Sequence, residues 1–262
     1  YKLPLIFDGE KLLELPEIEI DNPTVEFDVD SNALLSLIQY NSKELTKGQP
    51  SHPMQKMYYV DEKGAITFIF GACVNSFTLE KPVKMLLNDR LVKLFKLFKD
   101  ARTDDIIHTK VRFETPEVTI TSILSCDDTM LKTFPVDSIR GRANATYPYS
   151  IKVNKDQFLQ TINRLLLFSS ANSAKDIIKP ISEFRFEKDH VVVFDTRGEN
   201  KEEVWYSNST IEDSYDTYLD LNDLKVTLET CVDPYVTLEF GDTQAVVVTH
   251  GNIKNVIPEC EH

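Results

Sequence analysis

The sequence predicts an α+β fold built from a duplicated β-rich domain, and three observations predict it. Alternation of period two runs through most of the chain, as half-buried strands require. Four segments interrupt it with an apolar stripe at helical spacing. The stretch LLNDRLVKLFKLFKDARTDDIIHTKVRFETPEVTITS (86–122) is also said again in outline by LDLNDLKVTLETCVDPYVTLEFGDTQAVVVT (219–249). Each has an apolar residue and Asn-Asp, then a helical run, a polar turn and two alternating strands.

The strands follow in order. In the first half they are VEFDVD (25–30), MQKMYYVD (54–61), AITFIFG (65–71), VNSFTLE (74–80), KVRFE (110–114) and VTITSILS (118–125). In the second half they are YSIKVN (149–154), SEFRFEKD (182–189), HVVVFDT (190–196), EEVWYSN (202–208), YVTLEFGD (235–242) and AVVVTHG (245–251). DEKG, TPE and GDTQ supply turns. Helices are predicted over 31–43, with Ser31 as N-cap and Leu34, Leu37 and Ile38 inward, and over 88–100, with Leu91, Leu94, Phe95 and Phe98 inward. A third covers 154–168, capped by Asn154. The fourth, 222–232, is short enough to be part strand.

Phe27 corresponds to Ile151 and Asn88 to Asn222, each pair about 130 residues apart, which marks a duplicated domain and not a solenoid unit. The weakly periodic stretch DSIRGRANATYP (137–148) reads as the linker. Within each copy the strand–helix–strands order occurs twice, so each domain has two helices on one face and two antiparallel sheets on the other.

Composition bounds the function. The 262 residues suit two domains, and 42% hydrophobic content suits a real core. No apolar run approaches the length of a membrane span, and no secretory leader is visible, so a cytoplasmic location is expected. A net charge of −13 argues against coating DNA electrostatically. A local basic stripe stays compatible with it, because screening confines surface fields to about 10 Å. Cys73, Cys126, Cys231 and Cys260 form no CxxC and read as reduced, mostly buried thiols. His52, His108, His190, His250 and His262 show no metal spacing. No phosphate-binding glycine loop, nucleophile elbow or zincin motif is present. The Asp pairs 104–105 and 127–128 sit in turns, where Asp is favoured for backbone reasons, and are weak nuclease candidates. Neither an enzyme nor a cofactor is expected.

The order of these elements resembles the bacterial-type DNA polymerase sliding clamp, the beta-subunit family. Its carriers are the C-terminal stretch 219–260 with its VIPE tail (256–259), DGEKLLELPEIEI (8–20) and KTFPVDSIR (132–140). Together they match the last two of three family domains. YKLPLI (1–6) resembles the end of a first domain, giving 1–21 as that end plus linker, 22–137 as the middle domain and 138–262 as the C-terminal domain. GACVNSF (71–77) departs from the family's Thr-Asp-Gly-His-Arg-Leu-like run, a divergence that suits a viral (phage) member.

The resemblance implies a ring that encircles duplex DNA without reading its sequence and tethers polymerase and clamp-loader peptides. It places a peptide groove at Met54, Gly71, Cys73, Phe77, Pro135, Arg140, Val256, Ile257, Pro258 and Glu259. Met54 and Ile257 read equally as plain core residues. The helix faces turned from the core, with the loops after them, supply a weakly basic duplex-facing set: Lys43, Lys47, Lys93, Lys96, Arg102, Arg164 and Lys175. These also fit ordinary solvated helix faces. Ring closure in the family joins a first domain to a last, so the present chain is expected to be monomeric or weakly associated. A two-domain clamp, three chains to the ring, also fits the length. The alternative from a different class is an acidic β-rich binding module or DNA mimic that forms no ring.

Overall fold

The computed structural model describes residues 7–8, 11–12, 25–29, 35, 37, 57–69, 71–95, 106–107, 110–114, 118–124, 128–170, 180–241 and 244–261. A short hairpin, β1 (Phe7–Asp8) and β2 (Lys11–Leu12), comes first. Then follow β3 (Met57–Asp61), β4 (Gly64–Ile69), β5 (Gly71–Asn75), β6 (Lys84–Asn88), α1 (Asp89–Leu94), β7 (Ile106–Ile107), β8 (Lys110–Glu114) and β9 (Thr119–Ile123). Two helices, α2 (Asp128–Thr133) and α3 (Val136–Ala143), lead to β10 (Tyr149–Asn154) and α4 (Lys155–Ser170). The chain ends with β11 (Ile181–Phe186), β12 (His190–Phe194), β13 (Lys201–Ser207), β14 (Tyr215–Asp220), α5 (Leu221–Thr230), β15 (Tyr235–Phe240), β16 (Ala245–His250) and β17 (Ile253–Pro258).

One local device recurs three times: a strand runs directly into a helix through an Asx cap. The Asn88 side chain accepts from Leu91 N at 2.9 Å to start α1. Asn154 accepts from Gln157 N at 2.9 Å to start α4, and Asp220 from Asn222 N at 2.8 Å to start α5. Each cap satisfies a helix N–H that has no partner within the helix.

Twelve strands form one antiparallel sheet in the order β14-β11-β12-β13-β10-β15-β16-β17-β5-β4-β3-β6, and β7-β8-β9 form a second. Three buried clusters sort its faces. Phe27, Cys73, Leu87, Leu91, Phe95, Val111 and Phe113 share one, with α1. Ile151, Phe158, Phe184, Leu224, Val246 and Ile257 share the second, with α4 and α5. The third lies on the opposite face, where Phe134, Ile139 and Ala143 cover Tyr59, Ile66, Ala72, Val74, Val247 and Val256. Strand alternation makes the division: Cys73 looks into one cluster and its neighbours Ala72 and Val74 into another.

The fold class agrees with the sequence prediction, and several elements differ in detail. The stretch 137–148, expected to be linker, begins with α3, whose Ile139 and Ala143 are buried. Its two buried residues lie four apart in a helix of eight residues, too short a run to register as periodic. Of VEFDVD the described residues are 25–29, and among them only Val25 forms a bridge. The segment 222–232 is helical over Leu221–Thr230, with no strand. Leu35 and Leu37 are helical; the rest of the 31–43 helix and residues 96–100 lie outside the described residues.

Cys231 is 3% exposed and its Sγ donates to Thr227 O at 3.2 Å. Burial pushes its thiol up to about 12. Native protein treated with an aromatic disulfide reagent is therefore expected to modify the half-buried Cys260 well before Cys231, as read by mass spectrometry of the digest. Equal labelling would contradict the buried-thiol assignment.

Candidate functional site at the sheet junction

The two halves meet where β17 pairs antiparallel with β5. Ile253 lies opposite Asn75, Lys254 opposite Val74, Asn255 opposite Cys73 and Val256 opposite Ala72. Gly71 sits at the end of this pairing with φ +85, and a Cβ built on it would lie 2.3 Å from the Val256 carbonyl oxygen. The contact needs both the left-handed backbone and the missing side chain. On the α3 face a row runs across the strands: Phe68 opposite Ala72, Ala72 opposite Val256, Val256 opposite Val247. Phe134, just before α3, lies 5.2 Å from both the Tyr59 and Phe68 rings. Lys254 fastens the end of α3, donating to Ala143 O at 2.9 Å.

The structure brings part of the expected groove set together. Gly71, Val256 and Pro258 share one end of this junction, with Val256 buried and Pro258 exposed; Pro135, exposed, leads into α3, and Arg140 reaches Asp61, which lies opposite Gly64 at the other end of the strands. Cys73 and Phe77 turn to the other face and join the α1 core. Ile257 is fully buried among the α4 and α5 side chains. Glu259 accepts from Tyr215 Oη at 3.0 Å. Met54 lies outside the described residues. The half-buried apolar residues Met57, Phe68, Met130, Leu131, Val136 and Tyr147 border the same cluster and were missed in the sequence. For Phe68 the signal was there: it shares strand parity with Ile66, as Pro258 does with Val256.

Arg140 holds α3 to the sheet. Its Nη1 and Nη2 each donate to an Asp61 carboxylate oxygen at 2.6 Å, a paired fork across 79 residues of sequence. Burial alone would raise the Asp61 pKa. The Arg140 guanidinium and the Lys63 N–H outweigh it and hold the carboxyl below its ordinary value. Beside them, burial and the Asp61 charge push the Tyr59 hydroxyl up to about 12.

Lys93 and Arg164 are the described members of the duplex-facing set, and both are ion-paired. Lys93 meets Asp89 at 3.1 Å one turn away. Arg164 Nε donates to both Glu202 oxygens at 2.7 and 2.9 Å, and its Nη2 also reaches Glu202 and, at 3.1 Å, Thr161. Exposed pairs of this kind contribute little to stability and exchange readily. Lys43, Lys47, Lys96, Arg102 and Lys175 lie outside the described residues. Among the described residues no cluster of His, Cys, Asp and Glu is placed to hold a metal, and no helix is long and apolar enough to cross a membrane.

No family model and no curated protein sequence matches the chain. Solved structures do. The DNA polymerase III beta chain of Streptococcus pneumoniae superposes with a TM-score of 0.73 at 15% identity, covering 97% of this chain and 69% of that one. The chain has the sliding-clamp fold. The beta sliding clamp of Caulobacter crescentus agrees, with a TM-score of 0.70 at 16% identity over 99% of this chain and 71% of that one. So does the sliding clamp of Pseudomonas aeruginosa bound to griselimycin, at 0.72 and 12% over 95% and 68%. α1, α4 and α5 on one sheet face and a sheet continuous through the β5–β17 junction are thus parts of a clamp fold at an identity too low for sequence matching.

Proposed function

We propose that the chain is a DNA sliding clamp, a processivity factor that encircles duplex DNA and tethers the replicative polymerase and other replication proteins through a groove at the sheet junction. The observation that carries this reading is the β5–β17 pairing, which continues one sheet from one repeat unit into the next while α1, α4 and α5 stay on a single face. Repeating such a unit builds an arc with helices lining one side. The proposed units are 22–137 and 138–262, preceded by 1–21 as the end of another. The proposed work is tethering in the cytoplasm, without covalent chemistry, as part of a homo-oligomeric ring. Gly71, Pro135, Arg140, Val256 and Pro258 carry the groove on the α3 face, and Phe68 joins them. Lys93 and Arg164, with Lys43, Lys47, Lys96, Arg102 and Lys175, face the duplex, their acid pairs opening to phosphates as the ring slides.

The net charge of −13 and the acid pairing of Lys93 and Arg164 favour the alternative of an acidic module or DNA mimic, and a peptide titration separates the two. A labelled peptide of the Gln-Leu-x-Leu-Phe type is expected to bind in the micromolar range, about −8 kcal/mol, and a scrambled peptide is not. Pro258→Asp, on an exposed position, is expected to weaken binding at least tenfold without lowering the melting temperature. Ile257 is unsuited to this test, since a carboxylate in its fully buried site would unfold the protein. No binding up to roughly millimolar peptide would sink the tethering reading and favour the acidic module.

A further inference from the structure

On the sheet face turned from α4 and α5, one aromatic ring lacks the partner that two of its neighbours have. Ile151, Val153, Val191, Val193, Val204 and Val236 point into the cluster with α4 and α5. Alternation therefore sends Lys152, His190, Phe194, Glu203, Trp205 and Tyr235 to the other face. Two of the rings there are covered by a cation of the chain itself. The Arg185 guanidinium lies 5.4 Å over the Phe194 ring, with Glu183 at 2.7 Å and Asp216 at 3.2 Å. Lys152 Nζ lies 5.7 Å over the Tyr235 ring. Trp205 is the exception: among the described residues no cation lies over it. Yet indole is the best cation binder of the aromatic side chains.

The Trp205 ring is held in place from one side. His190 lies opposite it on β12, and the two rings stack with centres 4.9 Å apart. Asp189 fixes the imidazole in turn, with 2.7 Å between Asp189 Oδ1 and His190 Nδ1. The stack occupies one face of the indole, and at 56% exposure the other face is open. Glu203 stands two residues away on the same side of β13, exposed and without an ion pair among the described residues. The position thus repeats the Arg185 site, a ring with two carboxylates beside it, and lacks only the guanidinium.

We propose that Trp205, with Glu203 and Asp189 beside it, docks an arginine side chain from a basic segment of a partner protein. The planar guanidinium lies flat on the open face of the indole, and the carboxylates accept its N–H groups at the rim. A ring already fixed by His190 loses little freedom on binding. The net charge of −13 draws a basic segment towards the chain. The same charge and the same two carboxylates repel phosphates, which disfavours a nucleic-acid strand stacked on the ring. The site stands apart from the clamp reading, since it lies within the C-terminal half and uses no residue of the α3 groove.

Trp205 is the only tryptophan in the chain, so its emission reads the site without a label. Titration of the 262-residue chain with a capped tetra-arginine peptide at low salt is expected to change that emission saturably, with half-saturation below about 1 mM. The citrulline peptide, which keeps the shape and removes the charge, is expected to leave it unchanged. Glu203→Gln, on an exposed position, is expected to weaken binding about threefold with an unchanged thermal melt. Trp205→Leu, followed through a fluorescent label on the peptide, is expected to weaken it at least about fivefold, again with an unchanged melt. Undiminished binding to Trp205→Leu is general attraction to an acidic surface and overturns the proposal. Equal binding of the citrulline peptide overturns it too. An emission change with oligothymidylate and none with tetra-arginine makes the ring a base-stacking platform and overturns the basic partner. A lower light-scattering mass for Trp205→Leu than for the unaltered chain means that a second copy covers the ring, which also overturns it.

Discussion

Arg140→Ala is expected to destabilise the fold by about 3 kcal/mol near neutral pH and to change how stability responds to acid. The guanidinium forks onto Asp61, whose side chain is 5% exposed against 17% for its own. Truncation removes the partner and leaves the carboxylate in place. A buried charge without a partner costs far more than the pair contributed. α3 also loses its ion pair to the sheet, leaving Ile139, Ala143 and the Lys254 hydrogen bond to hold it.

The pH dependence distinguishes this account from simple loss of packing. In the native protein the Asp61 pKa lies below its ordinary value of 3.8. Its contribution is therefore complete above that value and is lost as pH falls through the lower folded pKa. Without Arg140 the burial that opposes ionisation dominates, and the folded pKa rises above the ordinary value. The sign then inverts: the folded state binds the proton more tightly than the unfolded chain, so acid favours folding. Urea unfolding at about pH 7 and about pH 4 is expected to show the variant's deficit shrinking in acid. A deficit equal at both values would mean that Arg140 acts only through its aliphatic stem.

Sequence patterning revealed most of this architecture because most of it is set locally. The strands β8 to β11, β13 and β15 announce themselves by alternation, β12 and β16 by their valine runs, and the Asn154 cap follows from a polar residue placed before an apolar stripe. β6, β14 and β17 were hidden for different reasons. KMLLN is buried at three consecutive positions because both sheet faces are covered there, so alternation vanishes. Asp220 disguises the end of β14 by serving as the next helix's cap. β17 carries residues that face three different clusters, Ile253, Val256 and Ile257, and no single period describes it. The same cause limits what could be read of the site. Which face a strand residue serves depends on what lies across the junction, so Gly71 and Pro258 were placed from motif alone beside Cys73 and Ile257, which point elsewhere.

Gly71→Ala is expected to be the more damaging change at the junction, though it adds one methyl group. The backbone at Gly71 has φ +85, where an L side chain is strained by about 1–3 kcal/mol. The new Cβ would lie 2.3 Å from the Val256 carbonyl oxygen and 3.4 Å from Ile257 Cα. These are backbone atoms of the paired strand, so no rotamer change relieves the contact; β17 must move away from β5. That motion breaks the Val256–Ala72 pairing and withdraws Ile257 from the core around α4 and α5. Strain and lost pairing together give an expected loss of about 3–4 kcal/mol. Hydrogen exchange is expected to report it unevenly, with protection falling first in β5 and β17 while the β11–β12–β13 amides keep theirs. Peptide binding at the groove is expected to fall with the junction, since Val256 and Pro258 ride on β17. Uniform loss of protection across both halves would instead mean that the junction and the two cores unfold as one cooperative unit.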